Sequence, residues 1–158
     1  MARPTWDEYF LEMMKAAAGR ATCDRGRSGS IIVRDKRVLS TGYVGAPMRC
    51  KDCDEAGHEM HTVIHENGKE SQHCIRTTHA EQNAIALAAR DGVKLEGATL
   101  YSNMMPCYTC AKMIINAGIV RVVARKDYYA AERSKEVFDE AGVAYEIIEQ
   151  GVEQYENQ

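Results

Sequence analysis

Residues 98–124 read ATLYSNMMPCYTCAKMIINAGIVRVVA. Ala98–Ser102 and Val120–Ala124 read as strands, and between them Tyr108–Ala117 reads as a helix that ends at Gly118. The alternation continues, with a helix over Ala130–Ala141 closed by Gly142 and a strand over Ala144–Ile148. Strand, helix, strand, helix, strand implies parallel neighbours joined by right-handed crossovers. Upstream, Thr78–Arg90 reads as a helix in which Ala84, Ile85, Leu87 and Ala88 can pack. Ser30–Arg34 and Val38–Tyr43 read as strands, with Asp35-Lys36-Arg37 as their hairpin turn. A hairpin leading into a parallel unit predicts an α/β fold of three layers, α/β/α. Its mixed five-stranded sheet carries helices on both faces. The chain opens with one more helix, Trp6–Ala18, whose apolar stripe is Trp6, Tyr9, Phe10, Met13, Met14 and Ala17. Thr5 with Glu8 fits its capping box and Gly19 its stop.

With 158 residues, no internal repeat and no linker rich in Pro, Gly or Ser, one domain over residues 1–158 is the expectation. Apolar residues at 45% and charged residues at 27% are a globular balance, so disorder is expected only in the polar tail from Glu153 to Gln158. No apolar run reaches a membrane span, and the N-terminus lacks a signal-peptide core, so a cytoplasmic location is expected. A net charge of -3 argues against wrapping a long nucleic acid, though not against a small substrate with one phosphate. Six cysteines in a cytoplasmic chain read as metal ligands or catalytic thiols rather than disulfides.

Val44–Ile75 is a long polar stretch of little periodicity and reads as a loop. Loops of that length are usually functional or tied down from outside. It holds Cys50, Cys53 and Cys74 together with His58, His61, His65 and His73.

Two motifs carry chemistry, His79-Ala80-Glu81 and Pro106-Cys107-Tyr108-Thr109-Cys110. Each begins a predicted helix. Cys107 and Cys110, three apart, project their thiols from one side of a first turn, suited to two bonds to one ion. His79 supplies a third ligand, which leaves the fourth tetrahedral position for water, as in catalytic rather than structural zinc sites. Glu81, two residues beyond the ligand, is placed to take a proton from that water and return it to the substrate ring and the leaving amine. The pair H-x-E and P-C-x-x-C is the general signature of zinc deaminases. A closed structural zinc knuckle and a Cys-x-x-Cys redox pair are the competing readings. The first needs a fourth protein ligand; the second leaves His79 and Glu81 idle.

The segment from Cys74 to Ile85, and Pro106–Lys112 followed by Ile114–Ile119, resemble the cytidine and deoxycytidylate deaminase superfamily, and within it the dCMP deaminases. The resemblance runs from the first helix to the last strand. It implies a catalytic zinc on His79, Cys107 and Cys110, with attack by hydroxide held on that zinc and Glu81 as proton shuttle. It further implies conversion of dCMP to dUMP with loss of ammonia. Backbone groups around Ala80 would contact the pyrimidine, and Tyr128 matches a family tyrosine near the substrate phosphate. A homo-oligomer and control by dCTP and dTTP are also expected from the resemblance. Some relatives carry a second, structural zinc. Cys23 and Cys53 match two of its ligand positions, with His73 and Cys74 as expected partners and Cys50 as a competitor. His58, His61 and His65 are expected to be solvated loop residues.

The chain departs from the family at Gly42-Tyr43-Val44-Gly45-Ala46-Pro47, where Val44 replaces the usual Asn. A valine offers only an apolar contact, so another cytosine nucleotide, a nucleoside, another amino-heterocycle or a non-catalytic binding role stays open. Asn103, in the altered Ser102-Asn103-Met104-Met105 segment, is a candidate for the missing polar contact. Arg25, Arg27, Arg49 and Lys51 flank the loop as basic groups with no assigned ligand.

Overall fold

The computed structural model describes residues 2–154. Five strands form the main sheet in the order β2-β1-β5-β6-β7. They are β1 (Gly29–Arg34), β2 (Arg37–Tyr43), β5 (Thr99–Met104), β6 (Arg121–Lys126) and β7 (Ala144–Ile147). β1 is antiparallel to both β2 and β5, whereas β5, β6 and β7 run parallel, so the sheet is mixed as expected. Asp35 and Lys36 both take left-handed backbone angles, φ 52 and 60, in the tight turn between β1 and β2. That turn matches the right-handed twist of the strands it joins.

Alternating side chains divide the sheet between two cores. Ile31, Val33, Tyr101 and Val123 face α1 (Trp6–Ala18), meeting Phe10, Leu11 and Met14. Ile32, Leu100, Val122 and Ala124 face the opposite layer. That layer holds α3 (Ala80–Arg90), α4 (Tyr108–Asn116) and α5 (Glu132–Ala141). Two glycines let the helices come close from either side. A Cβ on Gly42 would stand 2.1 Å from the Ala80 carbonyl oxygen under α3, and one on Gly29 would stand 2.5 Å from that of Met14 under α1. The N-terminus of α1 is tied to the sheet by Asp7, which accepts from both terminal nitrogens of Arg121 (3.0 and 2.8 Å) and from the Tyr101 hydroxyl (2.7 Å).

The stretch from 44 to 75 is not a structureless loop. It forms a short helix, α2 (Cys53–Ala56), and a hairpin of β3 (Met60–Ile64) and β4 (Glu70–Cys74), outside the main sheet. β3 is largely exposed, and β4 turns polar side chains to its half-buried face, so the apolar alternation that marks a half-buried strand never arises. α3 starts at Ala80 rather than Thr78 because His79 is an extended cap residue, φ −65 and ψ 154. α5 starts at Glu132 because Ala130 and Ala131 are buried in the turn before it. Of the polar tail, Glu153 is buried and paired with Arg125 and Lys126, and Gln154 is exposed; the remainder lies outside the described residues. Among the described residues no helix is long and apolar enough to cross a membrane.

Candidate active site

Two helix N-termini meet at the edge of the sheet where β2 and β5 end. His79 caps α3, and Cys107 caps α4 with Cys110 in its first turn. Gln82 Oε1 accepts the His79 backbone N–H at 3.2 Å and holds the start of α3. The His79 Nδ1 atom lies 3.6 Å from Cys107 Sγ and 3.4 Å from Cys110 Sγ. All three donor atoms fall within 4.8 Å of one another. A tetrahedral zinc with Zn–N about 2.0–2.1 Å and Zn–S about 2.3 Å sets its N and S ligands about 3.6 Å apart, so the donor set fits that ion.

Protons in this cluster are already shared in the way a cation exploits. A hydrogen bond from the Cys110 thiol, opposed by burial and aided by His79, brings Cys107 down to about 4. The hydrogen bond to Cys107 holds the His79 imidazolium up at about 9, against its burial. Cys107 and burial push Cys110 well up. A divalent cation takes the place of such protons when it binds. Glu81 is buried at the cavity wall; burial pushes its carboxyl up, and its Oε2 accepts from Cys110 Sγ at 3.9 Å.

Glu81, His79 and Cys107 form part of the wall of a cavity of about 400 Å³. Val44, Ala80 and Tyr128 line it, the last with its phenol pushed up by burial. Asn103 does not line it. Its Oδ1 accepts the Gly29 N–H at 2.8 Å, so this buried side chain is engaged in fastening β1 and not in supplying the polar contact that Val44 lacks.

A second cluster stands against the same cavity. Cys23, Cys53, His58 and Cys74 bring their donor atoms within 4.8 Å of one another. Cys23 Sγ is 3.6 Å from His58 Nδ1, and Cys53 Sγ is 3.6 Å from Cys74 Sγ. Four protein donors make the closed shell of a structural zinc. Asp24 Oδ1 lies 2.9 Å from His58 Nε2, the carboxylate partner that orients a ligating imidazole. Burial pushes Cys53 up to about 12. It pushes Cys74 the same way, but backbone hydrogen bonds from Glu59 and Arg76, with those of His58 and Cys53, outweigh it and bring that thiol to about 7.

The ligand set differs from the expected one at a single residue. His73 precedes Cys74 on β4, and neighbours on a strand face opposite ways. With Cys74 in the cluster, His73 turns to the cavity, its Nε2 3.5 Å from the Tyr129 hydroxyl. His58 takes the place instead. The turn at Gly57, φ 74, brings it back to Cys23, a reversal no local pattern announces. Cys50 is exposed and stays outside. His65 is also not a bare solvated residue, since it bonds Ser71 Oγ (2.8 Å) and the Tyr129 hydroxyl (3.0 Å).

The model of the cytidine and deoxycytidylate deaminase zinc-binding region matches residues 4–126. The chain belongs to the cytidine and deoxycytidylate deaminase family. Among relatives in this family, the ComE operon protein 2 of Bacillus subtilis is 38% identical over 149 residues, covering 94% of this chain and 74% of the relative. The deoxycytidylate deaminase of Mycobacterium phage D29 is 39% identical over 130 residues, 80% of this chain and 99% of the phage protein. The fold is similar to that of the dCMP deaminase from cyanophage S-TIM5, solved with dCMP and dUMP. The TM-score is 0.73 at 26% identity, over 93% of this chain and 99% of that one.

Proposed function

We propose that the chain hydrolyses dCMP to dUMP and ammonia. One observation carries this reading: an enclosed carboxylate, Glu81, beside a three-donor cluster at the wall of a nucleotide-sized cavity. The names of the relatives point to the same substrate. His79, Cys107 and Cys110 would hold the catalytic zinc, which supplies Lewis acidity and an activated water at neutral pH. Glu81 accepts the proton of the attacking water, delivers it to ring nitrogen N3, and passes a proton to the amino group as the C4–N bond breaks. Water's oxygen ends on C4 and the amine leaves as ammonia. The positive ends of the α3 and α4 dipoles favour the negative charge that builds on the thiolates and the attacking oxygen. Ala80 offers backbone groups to the pyrimidine, and Tyr128 faces the same cavity.

A second, structural zinc belongs to the same reading, held by Cys23, Cys53, His58 and Cys74. Val44 supports a second substrate reading, since an apolar wall accepts other cytosine nucleotides that do not need a hydrogen bond there. Assembly into a homo-oligomer, control by dCTP and dTTP, and a cytoplasmic setting without membrane or long nucleic-acid partners complete the proposal. The test is ammonia release from dCMP, CMP, deoxycytidine and 5-methyl-dCMP, alongside zinc per chain by elemental analysis. Turnover of dCMP with two zinc ions per chain is expected; release from none of the four rejects the enzyme reading.

A further inference from the structure

Several polar groups on the cavity wall are already bonded within the protein. Ser71 Oγ pairs with His65 Nε2 at 2.8 Å, and Gln72 Nε2 donates to Thr62 Oγ1 at 2.6 Å. Ser28 differs. It lines the cavity at 7% exposure, and its hydroxyl hydrogen-bonds no other described residue. Ser30, two residues on, also has an unpaired hydroxyl, but it is fully buried and does not line the cavity. A buried hydroxyl left unpaired is costly, and at Ser28 a polar group on a ligand can relieve that cost.

Strand pairing sets Ser28 against the position where this chain departs from its family. β1 and β2 place Ser30 opposite Gly42 and Gly29 opposite Tyr43, and the Val44 N–H continues the ladder to the Ser28 carbonyl at 3.0 Å. Ser28 and Val44 are therefore directly opposed. Opposed residues of an antiparallel pair turn to one face, their Cβ atoms about 5 Å apart. Gly42 lies against Ala80 under α3, so residues 28 and 44, in step with 30 and 42, look toward the helix that carries Glu81. Val44 packs with Ala80 there. A polar group at position 28 thus serves the same patch of wall as one at position 44, whereas Asn103 is held by the Gly29 N–H. The reacting carbon, N3 and the amino group belong to Glu81 and the His79–Cys107–Cys110 cluster, and Ala80 faces the pyrimidine, so this patch meets the next part of a nucleotide, its sugar. The one free sugar hydroxyl of dCMP is at 3′. We propose that Ser28 is a specificity-determining residue that hydrogen-bonds the 3′-hydroxyl of the substrate, supplying from the opposite strand the polar contact that Val44 cannot make, an assignment that rests on the nucleotide reading given above.

The experiment measures kcat/KM for dCMP and for its 2′,3′-dideoxy analogue, which lacks the 3′-hydroxyl. It compares the wild type with Ser28→Ala, with the double variant Ser28→Ala/Val44→Asn, and with Ser30→Ala as control. The wild type is expected to favour dCMP over the dideoxy analogue about 10-fold, the effect of one hydrogen bond. Ser28→Ala lowers kcat/KM for dCMP about 10-fold and leaves the analogue unchanged, so the preference disappears. Adding Val44→Asn brings part of the preference back, because an amide at 44 reaches the same patch of wall. Ser30→Ala, on the same face but away from the cavity, keeps the preference of the wild type. A wild type that turns over dCMP, together with a Ser28→Ala variant that keeps the full preference or loses equally on both substrates, overturns the contact while the proposed function stands. A double variant with no preference regained overturns the exchange between positions 28 and 44. A wild type that deaminates neither nucleotide overturns the nucleotide reading and the contact with it.

Discussion

Gly42→Ala probes how closely the fold and the chemistry are joined. Gly42 lies in β2 beneath the first turn of α3, the helix that presents His79 and Glu81. The added methyl would stand 2.1 Å from the Ala80 carbonyl oxygen and 2.6 Å from the Ala84 nitrogen, both backbone atoms that no rotamer change can move aside. The helix must therefore retreat by about 1 Å, because interiors packed to crystal density have no slack to absorb the clash. Overpacking of this kind costs about 1–3 kcal/mol. For a chain of this length that lowers Tm by about 2–12 °C. Since His79 and Glu81 ride on the displaced turn, a shift of about 1 Å costs about 100-fold in kcat. Gly29→Ala is the comparison, since its methyl would meet Met14 O at 2.5 Å and Ala18 N at 2.6 Å on the opposite face. A comparable loss of Tm with kcat near wild type is expected there. Calorimetry and ammonia release at saturating dCMP measure both. If Gly42→Ala keeps its Tm and kcat, the close approach is wrong; if Gly29→Ala loses kcat equally, the link through α3 is wrong.

Glu81→Gln should keep the fold and the catalytic zinc, yet lose about 100- to 10,000-fold in kcat; a variant that stays active removes Glu81 from its role. Cys53→Ser should lower the zinc content from two ions to one per chain by elemental analysis, and two ions retained would break the four-donor assignment. Asn103→Leu should cost about 1–3 kcal/mol by leaving the buried Gly29 N–H unpaired, with KM for dCMP unchanged, as denaturant unfolding and kinetics together would show. The hydrogen bonds from Arg121 hold the Asp7 carboxyl below its ordinary value of 3.8. Stability from that pair is thus present above about pH 4 and fades as pH falls through the lowered value. With both side chains about a third exposed, Asp7→Asn should cost about 1 kcal/mol at pH 7, and the gap from wild type should close below pH 4. A gap that widens on acidification would reverse the argument.

The sheet, its strand directions and the convergence of His79, Cys107, Cys110 and Glu81 were legible because each rests on local pattern. Strands and helices alternate with their own periods, and an i, i+3 cysteine pair at a helix start has one geometry. The second cluster was legible only in part. Cys23, Cys53 and Cys74 stand out by residue type, but their fourth partner depends on a reversal at Gly57 and on which face of a polar hairpin Cys74 takes. With polar residues on both faces of β4, no hydrophobic alternation tells His73 from Cys74 in direction. Asn103 is a different failure. Residue type nominated it for the substrate, whereas the spare N–H of Gly29 on the neighbouring strand claims it.

The groups proposed to react all fall between His79 and Cys110, in one passage of helix, strand and helix. The far wall of the cavity comes from segments around 23–28, 44 and 71–77, which share no element with that passage. Changes in those segments, Val44 among them, can retune which molecule is admitted while the bond-breaking end stays the same. Selection acting on such a chain can explore new substrates at the periphery without having to rediscover the reaction.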